Sequence, residues 1–179
     1  MKELSLHILD IVQNSIKAQA KNILIEIVEN TKDDSLTITI EDDGCGMSEE
    51  FLARVRDPFT TTRTTRKTGM GISLFEAAAV QTGGGLDITS KLGEGTTVKT
   101  WFGLTSIDRA PIGDMADTMV AIIGGAPDID YIYRHVTDKG EFVFDTKQMR
   151  SVLGDVPFNM PDILDWINGY ITEGMSEIQ

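Results

Sequence analysis

Cysteine is nearly absent. Cys45 stands alone in 179 residues, which excludes an internal disulfide and a cysteine-rich zinc site. Basic residues are scarce as well, 16 against 28 acidic ones, for a formal charge of −12. A phosphate backbone would be repelled unless a local patch overrode that charge, so no nucleic-acid partner is expected. The densest basic run carries Arg63, Arg66 and Lys67; it is too short for a duplex footprint and better sized for a triphosphate. No apolar stretch reaches about 18 residues, and no basic-then-apolar leader opens the chain. The expectation is a soluble cytoplasmic protein without membrane contact.

What is present suffices for a core: 41% of the residues are apolar. The length suits one domain with a small appendage. Leu4, Ile8, Ile11, Val12, Ser15 and Ile16 recur at helical spacing and predict an amphipathic helix over 3–20. Ile23, Ile25 and Ile27 alternate with Leu24, Glu26 and Val28, and Leu36, Ile38 and Ile40 alternate again after a polar turn. A hairpin under the first helix follows, because its apolar face needs a cover. Ser48-Glu49-Glu50-Phe51 reads as a capped helix start that Pro58 ends. The threonine-rich stretch over 60–68 has no period and reads as a mobile loop. A helix over 70–82 stops at Gly83-Gly84-Gly85. Strands are expected near 86–91 and 96–104.

The composition shifts after Leu104. Residues 1–104 are expected as one unit and 105–179 as a small α/β appendage with a hairpin near 129–144 and a last helix over 161–175. Tyr131, Tyr133, Phe142, Phe144, Trp166 and Tyr170 bring too much apolar surface to this region for a stable exposed coil.

Several short pieces in one order carry chemistry. On the first helix, His7, Asp10, Asn14 and Lys17 are spaced by three, four and three, so they share a polar face. Asp42-Asp43-Gly44-Cys45-Gly46 follows a strand; a carboxylate there is a pure acceptor and suits an amine donor, while glycines admit a flat base close to the backbone. Gly69-Met70-Gly71 at a helix start would leave amide donors free for phosphate oxygens. Gly95-Thr96-Thr97 precedes a strand. Cys45 reads as a small filler, and His7 and His135 as core or surface residues.

Together Asp10-Ile11-Val12-Gln13-Asn14-Ser15, Asp42-Asp43-Gly44-Cys45-Gly46-Met47, Asp57-Pro58-Phe59-Thr60-Thr61-Thr62, Gly69-Met70-Gly71-Ile72 and Gly93-Glu94-Gly95-Thr96-Thr97 resemble the GHKL ATPases. That superfamily holds gyrase-type topoisomerases, Hsp90 chaperones, sensor histidine kinases and MutL repair proteins. The resemblance covers 3 to about 104. It implies an α+β, two-layer sandwich of the Bergerat type, with helices over one face of a mixed sheet. It implies ATP and Mg²⁺ as cofactors. Asp42 would read the adenine amine with Gly44 and Gly46 beside it, and Thr96 would be a second contact to the purine. Asn14 would hold Mg²⁺ through its side-chain oxygen. Lys17, Lys67, Gly69 and Gly71 would contact phosphate.

Asp10 departs from the glutamate of the hydrolysing branches. Its side chain is one methylene shorter, and general-base geometry tolerates little slack. It is expected either to activate a nucleophile or to orient waters on the metal. Three functions stand: a kinase-like module passing the γ-phosphate to a protein partner in trans, an ATP-hydrolysing conformational switch, or a regulatory subunit that senses ATP without turnover. The oligomeric state stays open.

Overall fold

The structure, a computed structural model, describes residues 2–55 and 66–179; for 66–70 it describes the backbone alone. The helices are α1 (Leu4–Lys17), α2 (Glu49–Val55), α3 (Arg66–Val80), α4 (Met115–Gly125), α5 (Thr146–Leu153) and α6 (Pro161–Ser176). The strands are β1 (Asn22–Asn30), β2 (Ser35–Asp42), β3 (Gly85–Lys91), β4 (Gly95–Gly103), β5 (Asp130–Thr137) and β6 (Gly140–Asp145). They form one mixed sheet in the order β3-β4-β2-β1-β5-β6. Every neighbouring pair is antiparallel except β1 and β5, which run parallel with Ile23 opposite Tyr131.

The alternation in β1 and β2 has its expected consequence. Ile23, Ile25, Ile27, Leu36, Ile38 and Ile40 are buried under the helices, while Glu26, Thr37 and Thr39 turn to the other face. The helical stripe of α1 closes over them: Leu4, Ile8, Ile11 and Val12 are buried, and α1 packs against α3 and α4. This is the helix-on-sheet layering that a one-sided apolar hairpin requires.

Two helix boundaries differ from the sequence reading. α1 ends at Lys17 instead of running to 20, because Gln19 takes a left-handed conformation (φ 62). Its amide donates to the Ile16 carbonyl and the next one, of Ala20, to that of Ser15, which closes the helix end. α3 begins at Arg66, so Gly69 and Gly71 lie inside its first turns and do not open it at 70. Ile72, Phe75 and Ala79 bury one face of α3 against β3 and β4. That burial offsets the cost of about 1 kcal/mol per helical glycine. Ser48 caps α2 as expected, its Oγ accepting from the Phe51 amide at 3.2 Å. Pro58, and the loop read over 60–68 as far as residue 65, lie outside the described residues.

Residues 105–179 continue the sheet. β5 lies beside β1, β6 beside β5, and α4 packs between α1 and α6. Tyr131, Tyr133, Phe144, Met119, Ile122 and Ile123 are fully buried and join the same apolar core as α1 and β1.

Candidate nucleotide site

At the C-terminal end of β2 the strand register sets three polar side chains in a row. Asp42 on β2 faces Thr96 on β4, and Thr96 faces Ser90 on β3. Directly opposed residues on one face of a sheet have Cβ atoms about 4.5–5.5 Å apart. Ser90 and Thr96 accordingly bond hydroxyl to hydroxyl at 2.8 Å. The Ser90 Oγ also accepts from the Met47 amide at 2.8 Å and donates to the Gly95 carbonyl at 3.0 Å. With its one proton so committed, Ser90 takes its bond with Thr96 as acceptor. Thr96 therefore donates inward, and the lone pairs of its Oγ1 remain for a ligand.

Asp42 is fixed from two sides. Its Oδ1 accepts from the Gly44 amide at 2.9 Å, and its Oδ2 from the Ser15 hydroxyl on α1 at 2.6 Å. Two bonds leave a carboxylate with acceptor capacity to spare. Asp43, next in the chain, is spent on structure: its carboxylate accepts from the amides of Lys21 and Asn22 and from the Asn22 side chain. Desolvation works against its ionised form, but those hydrogen bonds prevail and hold its carboxyl below the usual carboxylate range.

The loop after Asp42 is clamped by backbone contacts. Cys45 donates its amide to the Ala18 carbonyl at the end of α1 and accepts from the Gly93 amide in the β3–β4 turn. Gly46 has φ 71, and a Cβ there would stand 2.1 Å from the Lys91 carbonyl oxygen. A Cβ at Gly44 would stand 2.8 Å from the Ala18 carbonyl oxygen. The sequence reading gave these glycines the task of admitting a flat base. In the structure they let this loop touch α1 and the β3–β4 turn, because no side chain fits between the backbones.

These parts enclose a cavity of about 440 Å³ between α1, the loop, α2 and β4. That volume suits a small-molecule or cofactor pocket. Asn14, Lys17, Asp42, Gly46 and Thr96 line it, so five of the expected site residues converge. Ile11, Ile40, Met47, Ile72, Leu92 and Val98 give it apolar walls, and Cys45 is exposed at its edge. Asp10, Gly44 and Gly71 do not line it. Asp10 lies beside α3, where a Cβ built on Gly71 would be 3.8 Å from its own Cβ, and its carboxylate is held by Lys2. Gly69 lies in the first turn of α3, and the Lys67 side chain is outside the described residues.

His7 is not part of an open polar face. It is 5% exposed and stacks on Phe75, with ring centroids 5.2 Å apart. Burial first and Lys2 second push its pKa below the ordinary value, against an opposing pull from Asp10. His135 is 1% exposed on β5 at the other end of the sheet, bonded to Tyr133 and Glu29. It lines a separate cavity of about 900 Å³, and none of the motif residues is in that lining.

Sequence reasoning missed Ser15, Ser90 and Lys2. Ser15 falls in the helical stripe of α1 by spacing; its place right after Asn14 is the available signal. Nothing local marks Ser90, which the register alone brings to Thr96.

The donor set fits a nucleotide with its metal. Asn14 offers an amide oxygen at the cavity, and Mg²⁺ takes most of its ligands from phosphates and water. Among the described residues, no cluster of three or more His, Cys, Asp or Glu could hold an ion without them. No described helix is long and apolar enough to cross a membrane.

Residues 2–106 match the family described as "Histidine kinase-, DNA gyrase B-, and HSP90-like ATPase". The histidine protein kinase DivJ of Caulobacter vibrioides is 35% identical over 95 residues, covering 51% of this chain and 16% of that protein. The sensor protein kinase GraS of Staphylococcus aureus strain MRSA252 is 34% identical over 98 residues, 52% of this chain and 28% of the kinase. The chain thus spans less than a third of each of these relatives. Among solved structures, the Aquifex aeolicus MutL ATPase domain complexed with ADP superposes with a TM-score of 0.53 at 12% identity, over 86% of this chain and 69% of that one.

Proposed function

The chain belongs to the histidine kinase-, DNA gyrase B- and HSP90-like ATPases, and from that premise we propose that it binds Mg²⁺-ATP in the 440 Å³ cavity and passes the γ-phosphate to a protein partner in trans. The observation that carries the reading is the pair of acceptors at the cavity floor. Asp42 can only accept, and Thr96 has its proton directed to Ser90. Two acceptors side by side match an amino group placed against them and disfavour a carbonyl oxygen placed there. Adenine has the amine at that position and guanine the carbonyl.

In this reading Asn14 supplies the amide oxygen to Mg²⁺, and Lys17, in the last turn of α1, meets phosphate charge. Gly69, Gly71 and Lys67 belong to the phosphate side, where amides in the first turn of α3 add their dipole. Mg²⁺, when bound there, would supply charge neutralisation to the phosphates. Asp10 is the candidate base, for a partner's acceptor group or for water. The similarity to sensor kinases supports transfer, because those relatives are named as kinases. Residues 105–179 are the proposed partner-docking region, supported by the stacked Trp166 and Tyr170 left partly exposed on α6. The second reading, slow hydrolysis, is favoured by one observation: Asp10 lies one helical turn from Asn14 on α1.

Calorimetry with Mg²⁺-ATP and Mg²⁺-GTP tests the site. ATP should bind, GTP should bind roughly tenfold or more weakly, and Asp42→Asn should narrow that gap, because Asn can also donate. Equal affinity for both nucleotides would refute the placement of the base. Incubation with γ-labelled ATP and a receiver-type protein separates the two chemistries: label on the protein supports transfer, and label appearing only as free phosphate supports hydrolysis.

A further inference from the structure

Asp10 has a partner that belongs to none of the motifs. The ammonium of Lys2 lies 2.5 Å from its Oδ2, eight residues earlier in the chain, and both side chains are about half exposed. The stem of Lys2 starts from a fixed place. The amides of Leu4 and Ser5 donate to the carbonyls of Pro111 and Ile112, and a Cβ on Gly113 would collide with Glu3 and Ser5. The entry to α1 is thus wedged against the segment that leads into α4. Helical side chains lean toward the N-terminal end of their helix, and Lys2 draws Asp10 in that direction. Asn14 and Lys17, farther along α1, line the cavity, and Asp10 does not.

We propose that Lys2 is a positioning residue of the nucleotide site, one that restrains Asp10 through this ion pair and keeps the isolated chain a slow hydrolase. The inference rests on the reading of Asp10 as the base of a Mg²⁺-ATP site. A carboxylate bonded to an ammonium has one oxygen committed and its plane fixed. It must leave that partner to reach the proton it abstracts, and general-base geometry allows only about 2.6–3.2 Å for that. Asp10 has no length to spare, being shorter than glutamate. Among the described residues, the other titratable group beside the pair is His7, whose pKa burial and Lys2 push below the ordinary value. Lys2 is, among the described residues, the cation that holds Asp10. An exposed pair of this kind is weak, worth no more than about a fivefold factor. That suits a restraint which a partner can open by drawing the 110–113 segment off α1.

The experiment measures Mg²⁺-ATP and ADP affinity by calorimetry, and phosphate release under saturating Mg²⁺-ATP, on the full chain. The variants are Lys2→Gln, Lys2→Arg, Asp10→Asn and Lys2→Gln with Asp10→Asn. Lys2→Gln should raise kcat by up to about fivefold with ADP affinity unmoved. Lys2→Arg should return the parent rate, since a guanidinium also holds a carboxylate. In the Asp10→Asn background, Lys2→Gln should change nothing. A lower rate in Lys2→Gln would overturn the proposal, and so would a rise that persists without the Asp10 carboxylate, or ATP bound with no phosphate released by any variant. Absence of ATP binding by the parent chain would refute the nucleotide site itself, and the restraint with it; calorimetry reads that outcome separately from the rates.

Discussion

Ser15 shows how one side chain ties the helix layer to the sheet layer at the cavity. It is buried on α1, and its hydroxyl donates to the Asp42 carboxylate at 2.6 Å. Hydrogen bonds to charged groups contribute about 1.5–3 kcal/mol. Ser15→Ala removes the donor but leaves Asp42 bonded to the Gly44 amide, so the carboxylate stays in place with more freedom to turn. ATP affinity should fall by about tenfold, with a smaller change in the denaturation midpoint. Calorimetry and urea titration of the variant check both, and an affinity equal to that of the parent would mean Ser15 supports the fold alone. Asp43 offers the contrast. It matches Asp42 in chemistry, yet three hydrogen bonds spend it on the start of β1.

Among the elements, the loop from Asp42 to Ser48 turns on a left-handed glycine, Gly46. Its course depends on contact with two other turns, through the Cys45 amide to Ala18 and the Gly93 amide to Cys45. Gly46→Ala puts a methyl group onto the Lys91 carbonyl and forces φ 71 on a residue that disfavours it. The cost should be about 1–3 kcal/mol. Because the same loop walls the cavity, ATP affinity should drop together with the melting temperature. A scan of thermal unfolding with and without Mg²⁺-ATP measures both, and an unchanged melting temperature would show that the loop has room to move aside. α3 teaches a related lesson. Glycines that would shorten an isolated helix are carried within one whose other face is buried.

At the scale of the whole molecule, the sheet does not stop where the family match does. β5 pairs with β1 along seven residues, from Asn22 opposite Asp130 to Val28 opposite Val136. A chain ended at residue 106 would leave β1 as an open edge with Ile23, Ile25 and Ile27 beside it, and would uncover the faces that α4 buries. Open apolar edges pair with other chains. The truncated chain should aggregate or melt well below the full one, and light scattering with calorimetry would show it. A monomer of parental melting temperature that still binds ATP would mean that 105–179 is a separable unit.

Much of the architecture was written locally. Two-residue alternation marked β1 and β2, helical spacing marked the buried stripe of α1, and the hairpin expected near 129–144 is the β5–β6 pair. Short-range periodicity can do this because it records which face each residue presents to the core. The motif order also named Asp42, Asn14, Lys17, Gly46 and Thr96, which meet at one cavity. The tertiary structure decided what depends on residues far apart in the chain. Strand register placed Asp42, Thr96 and Ser90 side by side. Parallel pairing set β5 against β1 across a gap of about a hundred residues. Packing at the entry of α1 delivered Lys2 to Asp10. A local pattern fixes the direction in which a side chain points from its own element. Which partner it meets there is set by long-range burial, which no window of the sequence contains.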